Sequence, residues 1–296
     1  MRILAVDIGG TYMKYALMDE NRTILSSGKV STPKERNAEI EAIGSLVDSV
    51  CPVDGIAVSM PGIIDSENGV CIFGGGAMRC NDGFEMKKAL QERCGNVKVT
   101  MENDAKCAAA AEAAFGSLKD VPDGFVITFG TMIGGAFVKD RKVLHGKHFS
   151  AGEVSYLITD RDTPPVPETV WGNRCGVPEL CRMYASLKGI SSADVTGQTV
   201  FEAFDLGDDC AASALKYFTR QIAVQIINIQ MLLDPCRFSI GGGISARGEL
   251  IGMIRERIEE LYSETPYFLP RPEIVRCEFG NDANLFGALS CFLENA

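Results

Sequence analysis

Two stretches decide how the chain is read: VDIGGTYMKYALMDENRTIL at residues 6–25 and ITFGTMIGGAFVKDRKVL at residues 127–144. Aligned on Gly10-Thr11 and Gly130-Thr131, both run apolar strand, Gly-Thr turn, apolar strand, charged turn, apolar strand. Ala16 then falls on Ala136 and Ile24 on Leu144. A strand–turn–strand unit that occurs twice predicts two α/β lobes of one design.

Outward from the first copy, strands are expected at residues 3–7, 13–18 and around 23–26. Ile40, Ile43, Leu46, Val47 and Val50 recur at helical spacing ahead of a strand at 55–60. A strand at 97–101 leads into an alanine-rich helix at 105–115, with Asn103 or Asp104 as its N-cap. Beyond the second copy, a long helix at 211–233 carries Leu215, Phe218, Ile222, Ile226 and Ile229 on one face and stops at Asp234-Pro235. A strand at 238–240 runs into Gly241-Gly242-Gly243. A helix at 248–261, a strand at 274–279 and a helix at 283–293 follow. Residues 159–172 are rich in Pro and Asp and read as a surface loop. The expected lobes are 1–117, joined by the last helix at about 283–295, and 118–282.

The 296 residues carry 29 Lys+Arg against 39 Asp+Glu, a net charge of −10. Neither a nucleic-acid binder nor a polybasic membrane-surface protein shows that balance. No apolar run reaches the ~18 residues of a membrane span, and the N-terminal apolar run is cut by Asp7. Eleven cysteines without a CxxC pair, beside only two histidines, argue against structural zinc and a disulfide scaffold. Reduced, mostly buried thiols in a cytoplasmic protein are expected.

Five segments carry candidate chemistry. Asp7-Ile8-Gly9-Gly10-Thr11 ends a strand; its glycines admit an anion to the backbone, Thr11 and Lys14 add a hydroxyl and a charge, and Asp7 suits Mg²⁺ through a water. A plain hairpin turn explains the same residues. A P-loop is excluded, because the GxxxxGK[ST] spacing is missing and a strand follows. Gly130-Thr131-Met132-Ile133-Gly134-Gly135 is the matching turn, and the two together suit a triphosphate. Glu102-Asn103-Asp104 are delivered by a strand to a helix start, where the dipole favours a carboxylate. They serve either as a cap or as the group that takes a proton from a substrate hydroxyl. Glu153, beside Gly152 and near Tyr156, is either a loop carboxylate or a partner for sugar hydroxyls. Gly241-Gly242-Gly243 is either a strand-to-helix turn or a bare surface for adenosine.

In chain order these residues resemble the ROK family (repressors, open reading frames and sugar kinases). Asp7-Ile8-Gly9-Gly10-Thr11 is similar to its phosphate loop and Ser59-Met60-Pro61-Gly62 to its PG turn. Glu102-Asn103-Asp104-Ala105 is similar to its catalytic segment, and Gly130-Thr131 with Ile133-Gly134-Gly135 to its second loop. Gly152-Glu153 resembles its sugar-binding pair, and Gly241-Gly242-Gly243 with residues 281–288 its C-terminal signatures. The resemblance implies the two-lobed sugar kinase/actin/Hsp70-like fold, a duplicated ribonuclease H-like α/β architecture. It implies an ATP- and Mg²⁺-dependent kinase acting on a small sugar or glycoside, as a homodimer by family resemblance, with no nucleic-acid or membrane partner.

By position, Asp104 would be the catalytic base. Gly62, Asn81, Asp82, Asn103, Asp104, Glu153 and Tyr156 would bind the sugar. Asp7, Gly9, Gly10, Thr11, Lys14, Thr131, Gly134, Gly242 and Gly243 would hold the nucleotide, with Asp7 near Mg²⁺. Two departures stand out. Tyr156 replaces a histidine that in many members orients sugar and binds zinc, and no CxCGxxGCxE cluster follows. Gly172 stands where a second sugar-binding Glu is common, and Met132 replaces a loop glycine. These changes resemble the zinc-free members, β-glucoside kinases among them, and suit a substituent on C1. A repressor would need a helix-turn-helix ahead of the first strand, for which residues 1–2 leave no room.

Overall fold

β1 (Arg2–Ile8) has apolar side chains on both faces. Leu4, Val6 and Ile8 join one buried cluster, and Ile3 and Ala5 join another. The two-residue period of a strand separates them, so β1 lies mid-sheet with a core above and below. The structure, a computed structural model, describes residues 1–160, 162–163, 166–265, 267 and 269–295, with backbone alone at position 77.

The other strands are β2 (Tyr12–Asp19), β3 (Ile24–Ser31), β4 (Gly55–Met60), β5 (Ile63–Asp65), β6 (Val70–Phe73), β7 (Lys98–Asn103), β8 (Gly124–Phe129), β9 (Ile133–Lys139), β10 (Lys142–Val143), β11 (Arg237–Gly241) and β12 (Glu273–Arg276). The helices are α1 (Arg36–Val50), α2 (Met86–Arg93), α3 (Asp104–Ala114), α4 (Trp171–Arg174), α5 (Val177–Lys188), α6 (Gly197–Asp205), α7 (Asp209–Leu233), α8 (Glu249–Ser263) and α9 (Ala283–Glu294).

Two sheets carry the fold, in orders β3-β2-β1-β4-β7 and β10-β9-β8-β11-β12. In each, an antiparallel hairpin is followed by two strands parallel to its first member. The repeat seen in the sequence is therefore a repeat of topology. Its turns differ by one residue: Ile8 pairs with Met13 across residues 9–12, and Phe129 with Ile133 across residues 130–132.

The chain packs as two units. One is Met1–Gly116, Lys142–Ala151 and the stretch from Asn281; the other is Ser117–Arg141 and Gly152–Gly280. Residues 142–151 thus lie with the first unit, a detail that linear boundaries at 117/118 and 282/283 leave out. In the first unit, α1 and α2 cover one sheet face through Ile40, Ile43, Val47 and Leu90, while Cys107, Leu285, Leu289 and Phe292 of α3 and α9 cover the other. In the second, α5, α7 and α8 bury Leu180, Leu215, Phe218, Ile222 and Ile254 against Phe125, Ile127 and Phe129. The Asp208 side chain caps α7 by accepting from Cys210 N and Ala211 N.

Most expected elements are present with ends moved by one to three residues. β3 runs to Ser31 rather than to about 26, because it is an edge strand whose side chains are almost all exposed, which removes the apolar alternation. The surface-loop reading of 159–172 is corrected at its end: Pro167–Thr169 forms a 3₁₀ turn and Trp171, 1% exposed, opens α4. Positions 161, 164 and 165 of that reading lie outside the described residues.

The tightest helix contact is between α3 and α9. A Cβ at Gly287 would lie 1.8 Å from Cys107 O. Gly287→Ala is expected to cost about 2 kcal/mol or more, because backbone atoms must move to admit the methyl group. Urea unfolding checks this: the midpoint should fall with an unchanged slope.

Candidate functional site

Parallel strands β1, β4 and β7 bring polar residues to one edge of their sheet. Asp7 is in register with Ser59, and Ser59 with Glu102. Open parallel sheets bind ligands at these carboxyl ends. Asp7 Oδ1 accepts from Ser59 Oγ at 2.9 Å and from Asn284 Nδ2 at 3.0 Å, so the start of α9 helps to orient it. Burial pushes the Asp7 carboxyl up, while Asn284, Ser59 and the charge of Lys14 act against that. A hard carboxylate oxygen steadied by neutral donors fits Mg²⁺.

The neighbouring turn is braced from outside. Thr32 Oγ1 donates to Gly9 O at 2.6 Å and Lys34 Nζ to Gly10 O at 2.5 Å. Gly10 and Thr11 are exposed. Lys14 Nζ donates to Asn281 O at 3.0 Å.

Asn103 ends β7 and is the N-cap of α3. Its Oδ1 accepts from Lys106 N at 3.0 Å, and its Nδ2 donates to Gly62 O at 2.9 Å. Gly62, at φ +108, turns the chain between β4 and β5. Asp104 follows as the first residue of α3, with Oδ1 accepting from Ala105 N at 2.8 Å. A carboxylate there faces the positive end of the helix dipole.

Asn81 is placed differently from expectation. It is 0% exposed, and its Nδ2 donates to Glu39 Oε2 at 2.8 Å. Glu39 is equally buried, which pushes its carboxyl up despite the bond from Asn81. Asn81 thus packs onto an interior carboxyl and supports the fold of its turn, and a sugar contact by Asn81 stands only as what the family resemblance implies. Asp82 Oδ1 accepts from Gly74 N at 2.8 Å and fixes the adjoining glycine segment.

In the second unit, Gly130 and Thr131 line a cavity of about 780 Å³ together with Gly243, Ile244 and Arg247. Its far wall is Val177 and Pro178 of α5 and Gln198, Phe201 and Glu202 of α6. A cavity of this size, mostly apolar with a few polar groups, suits a nucleoside. Arg247 is held by both oxygens of Asp205, at 2.7 and 2.6 Å, with its guanidinium 5.3 Å from the Phe201 ring centroid. Gly242 lies behind the wall at φ +88, where a Cβ would fall 2.1 Å from Phe129 O. Gly134 is within β9 and outside the lining.

Glu153 is the N-cap residue of the 3₁₀ turn Val154–Tyr156. Gly152 precedes it at φ +83, with a Cβ position 2.8 Å from Ala136 Cα. Tyr156 N donates to Glu153 O at 3.2 Å, and partial burial and the charge of Glu153 raise the Tyr156 hydroxyl pKa. A Cβ at Gly172 would lie 2.6 Å from Ser155 Oγ and 2.8 Å from Met132 Cε. The Met132 side chain therefore occupies the space into which a side chain at 172 would project.

Two groups, Lys106 and His145, went unassigned in the sequence, and Glu102 was read only as part of the segment that leads into α3. Glu102, 3% exposed, contacts His145 Nε2 through Oε2 at 2.5 Å, and Lys106 is 1% exposed. A lone lysine in an alanine-rich helix gives no sequence sign of burial. The scarcity of histidine was the one available hint for His145.

A duplicated strand-hairpin topology, with carboxylates at one set of strand ends and a glycine-lined cavity in the other half, defines a sugar kinase/actin/Hsp70-like chain. It belongs to the ROK family, whose model matches residues 3–295. A β-glucoside kinase of Klebsiella pneumoniae is 32% identical over 99% of this chain and 96% of its own length. A solved Listeria monocytogenes protein, described as a candidate N-acetylmannosamine kinase, is 30% identical with TM-score 0.90 over 100% of this chain and 99% of that one. A solved ROK family protein from Streptococcus pneumoniae TIGR4, in complex with sucrose, is 28% identical with TM-score 0.89 over 100% and 99%.

Asn103 both caps α3 and ties it to Gly62, so Asn103→Ala is expected to lose about 1–2 kcal/mol of stability. Asn103→Asp keeps the capping oxygen and should recover part of that loss. Denaturant titration of the two variants separates the cap from the amide donor.

Proposed function

We propose that the chain is an ATP-dependent kinase that phosphorylates a primary hydroxyl, O6, of a hexose or hexose glycoside, with β-glucosides as the preferred class. The observation that carries the reading is the placement of Asp104. Asn103 caps the turn of α3 that Asp104 opens, at the end of β7, one strand removed from the β1 end that presents Asp7. The names of the relatives agree with the chemistry: the Klebsiella pneumoniae protein is a β-glucoside kinase.

In this reading Asp104 accepts the proton of the sugar hydroxyl as that oxygen attacks the γ-phosphorus and the bond from this phosphorus to the β,γ-bridging oxygen breaks, with ADP as the leaving group. The transition state of phosphoryl transfer is loose, so the carboxylate contributes mainly by aiming the hydroxyl. Asn103, Gly62, Glu153 and Tyr156 are the proposed sugar contacts, and Asp82 shapes the glycine turn near them. Gly9, Gly10, Thr11, Lys14, Thr131 and Gly243 are proposed to meet the nucleotide, with Gly134 and Gly242 allowing close backbone approach. Asp7 would hold Mg²⁺, which neutralises charge on the phosphates when bound. A homodimer in the cytoplasm is the proposed setting, on the family resemblance and the reduced thiols.

The preference for glycosides rests on Met132 and Gly172. A thioether and a bare backbone give this neighbourhood fewer polar groups than a carboxylate at 172 would, which suits a substituent on C1. Glucose, fructose and N-acetylmannosamine are the alternative acceptors. A sugar-binding protein without catalysis is the contrasting class.

A coupled ADP-release assay with MgATP and cellobiose, glucose, fructose, mannose and N-acetylmannosamine tests this. Cellobiose is expected to give the highest kcat/KM. Asp104→Asn should keep sugar binding by calorimetry and lose on the order of 10²–10⁴ in turnover. Binding without sugar-dependent ADP from any acceptor would favour the non-catalytic class.

A further inference from the structure

Two buried charges flank the Asn103-Asp104 pair, and both grip one segment of chain. Glu102, at the end of β7, reaches His145 Nε2 through Oε2 at 2.5 Å, and its Oε1 accepts from Asn103 N at 2.8 Å. Lys106, in the first turn of α3, donates from Nζ to Phe149 O at 3.1 Å. Residues 145–149 are thus held at both ends. The grip is on strained backbone: Phe149 has φ +57, a left-handed conformation uncommon for an aromatic residue. Its ring stands edge-on to His145 at 6.3 Å between centroids. All of this lies within the first unit.

Burying Glu102 and Lys106 costs free energy that only good partners offset. Surface residues would hold a loop more cheaply. A charge clamp around the helix turn that presents Asp104 therefore points to a positional role.

We propose that Glu102, Lys106 and His145 are positioning residues. They fix the first turn of α3, and with it the Asp104 carboxylate, by clamping residues 145–149, and the clamp is complete only while His145 carries its proton. The proposal rests on Asp104 acting as the base.

The groups facing His145 are Glu102 from β7, Lys106 from α3 and Glu67 from the β5–β6 turn. Glu102 raises its pKa above the ordinary 6.5, first through the hydrogen bond and then through charge. Burial and Lys106 pull down, and Glu67 adds a smaller rise. The sign follows. The pair contributes its full stabilisation below 6.5, where both folded and unfolded chains bind the proton. It loses that contribution as pH rises through the raised value. Deprotonation also leaves Glu102 buried without its imidazolium partner, one residue from Asn103.

With two histidines in the chain, His148→Gln leaves a single ring to follow by NMR. His145 is expected to titrate above 6.5 in that variant. In wild type, kcat should fall on the alkaline side with the same midpoint, while the sugar KM changes little. His145→Arg, charged throughout, should lose that alkaline limb. His145→Gln should lower kcat by about tenfold to a hundredfold across the range. An alkaline limb that survives in His145→Arg, a normal kcat in His145→Gln, or a ring titrating at or below its ordinary value overturns the clamp. Failure of the base reading shows separately, as normal turnover in Asp104→Asn, and leaves the NMR titration of His145 unaffected.

Discussion

Parallel hydrogen bonding among β1, β4 and β7 is the constraint on which the first unit depends. It sets Asp7 beside Ser59 and Ser59 beside Glu102, so that one edge of the sheet is polar while residues 3–6 and 56–58, Val99 and Met101 behind it are buried and apolar. A slip of one residue would turn each side chain to the opposite face. Leu4, Val6 and Ile8 would then exchange places with Ile3 and Ala5, and the two cores would be filled by the wrong volumes. Registry and core packing thus enforce each other, and the chemistry inherits its geometry from both.

The polar edge is a graded construction. Asp7 is held by neutral donors, Asn103 by backbone, and Glu102 and Lys106 by partners of their own. Each group that meets solvent is backed by one that does not. Pre-organisation of this kind lowers the cost of arranging charges at the moment of reaction. In the second unit the same end is reached with glycine: positions 152 and 242 exclude side chains, so backbone takes the space.

Much of this was legible in the sequence. The repeated Gly-Thr hairpin gave away the duplicated topology, because a turn with fixed residues at fixed offsets survives translation into three dimensions. The start of α3 and a cap at Asn103 or Asp104 were readable from local rules alone, and the structure gives the cap to Asn103. What stayed hidden was set by distant contacts. Asn81, which the resemblance puts at the sugar, is interior, because Glu39, far away in sequence, meets it there. Lys106 sits in a run of alanines whose periodicity says nothing about charge. The short β5–β6 hairpin and α2 carry few periodic residues, whereas α5 does carry the helical signal, with Leu180, Cys181, Tyr184 and Ala185 on its buried face. The placement of residues 142–151 depends on the Glu102 and Lys106 contacts, which no local pattern encodes.

The position of α9 has a consequence for how the protein is made. Leu285, Leu289 and Phe292 complete the cluster that covers one face of the first sheet, with Ile3, Ala5 and Ala57 on the other side of the contact. Those helix residues follow every other named element in chain order. The sheet face of the first unit that α9 covers therefore stays open until α9 has emerged, whereas the strands and helices of the second unit all precede α9. Order of emergence and order of completion run in opposite directions along this polypeptide.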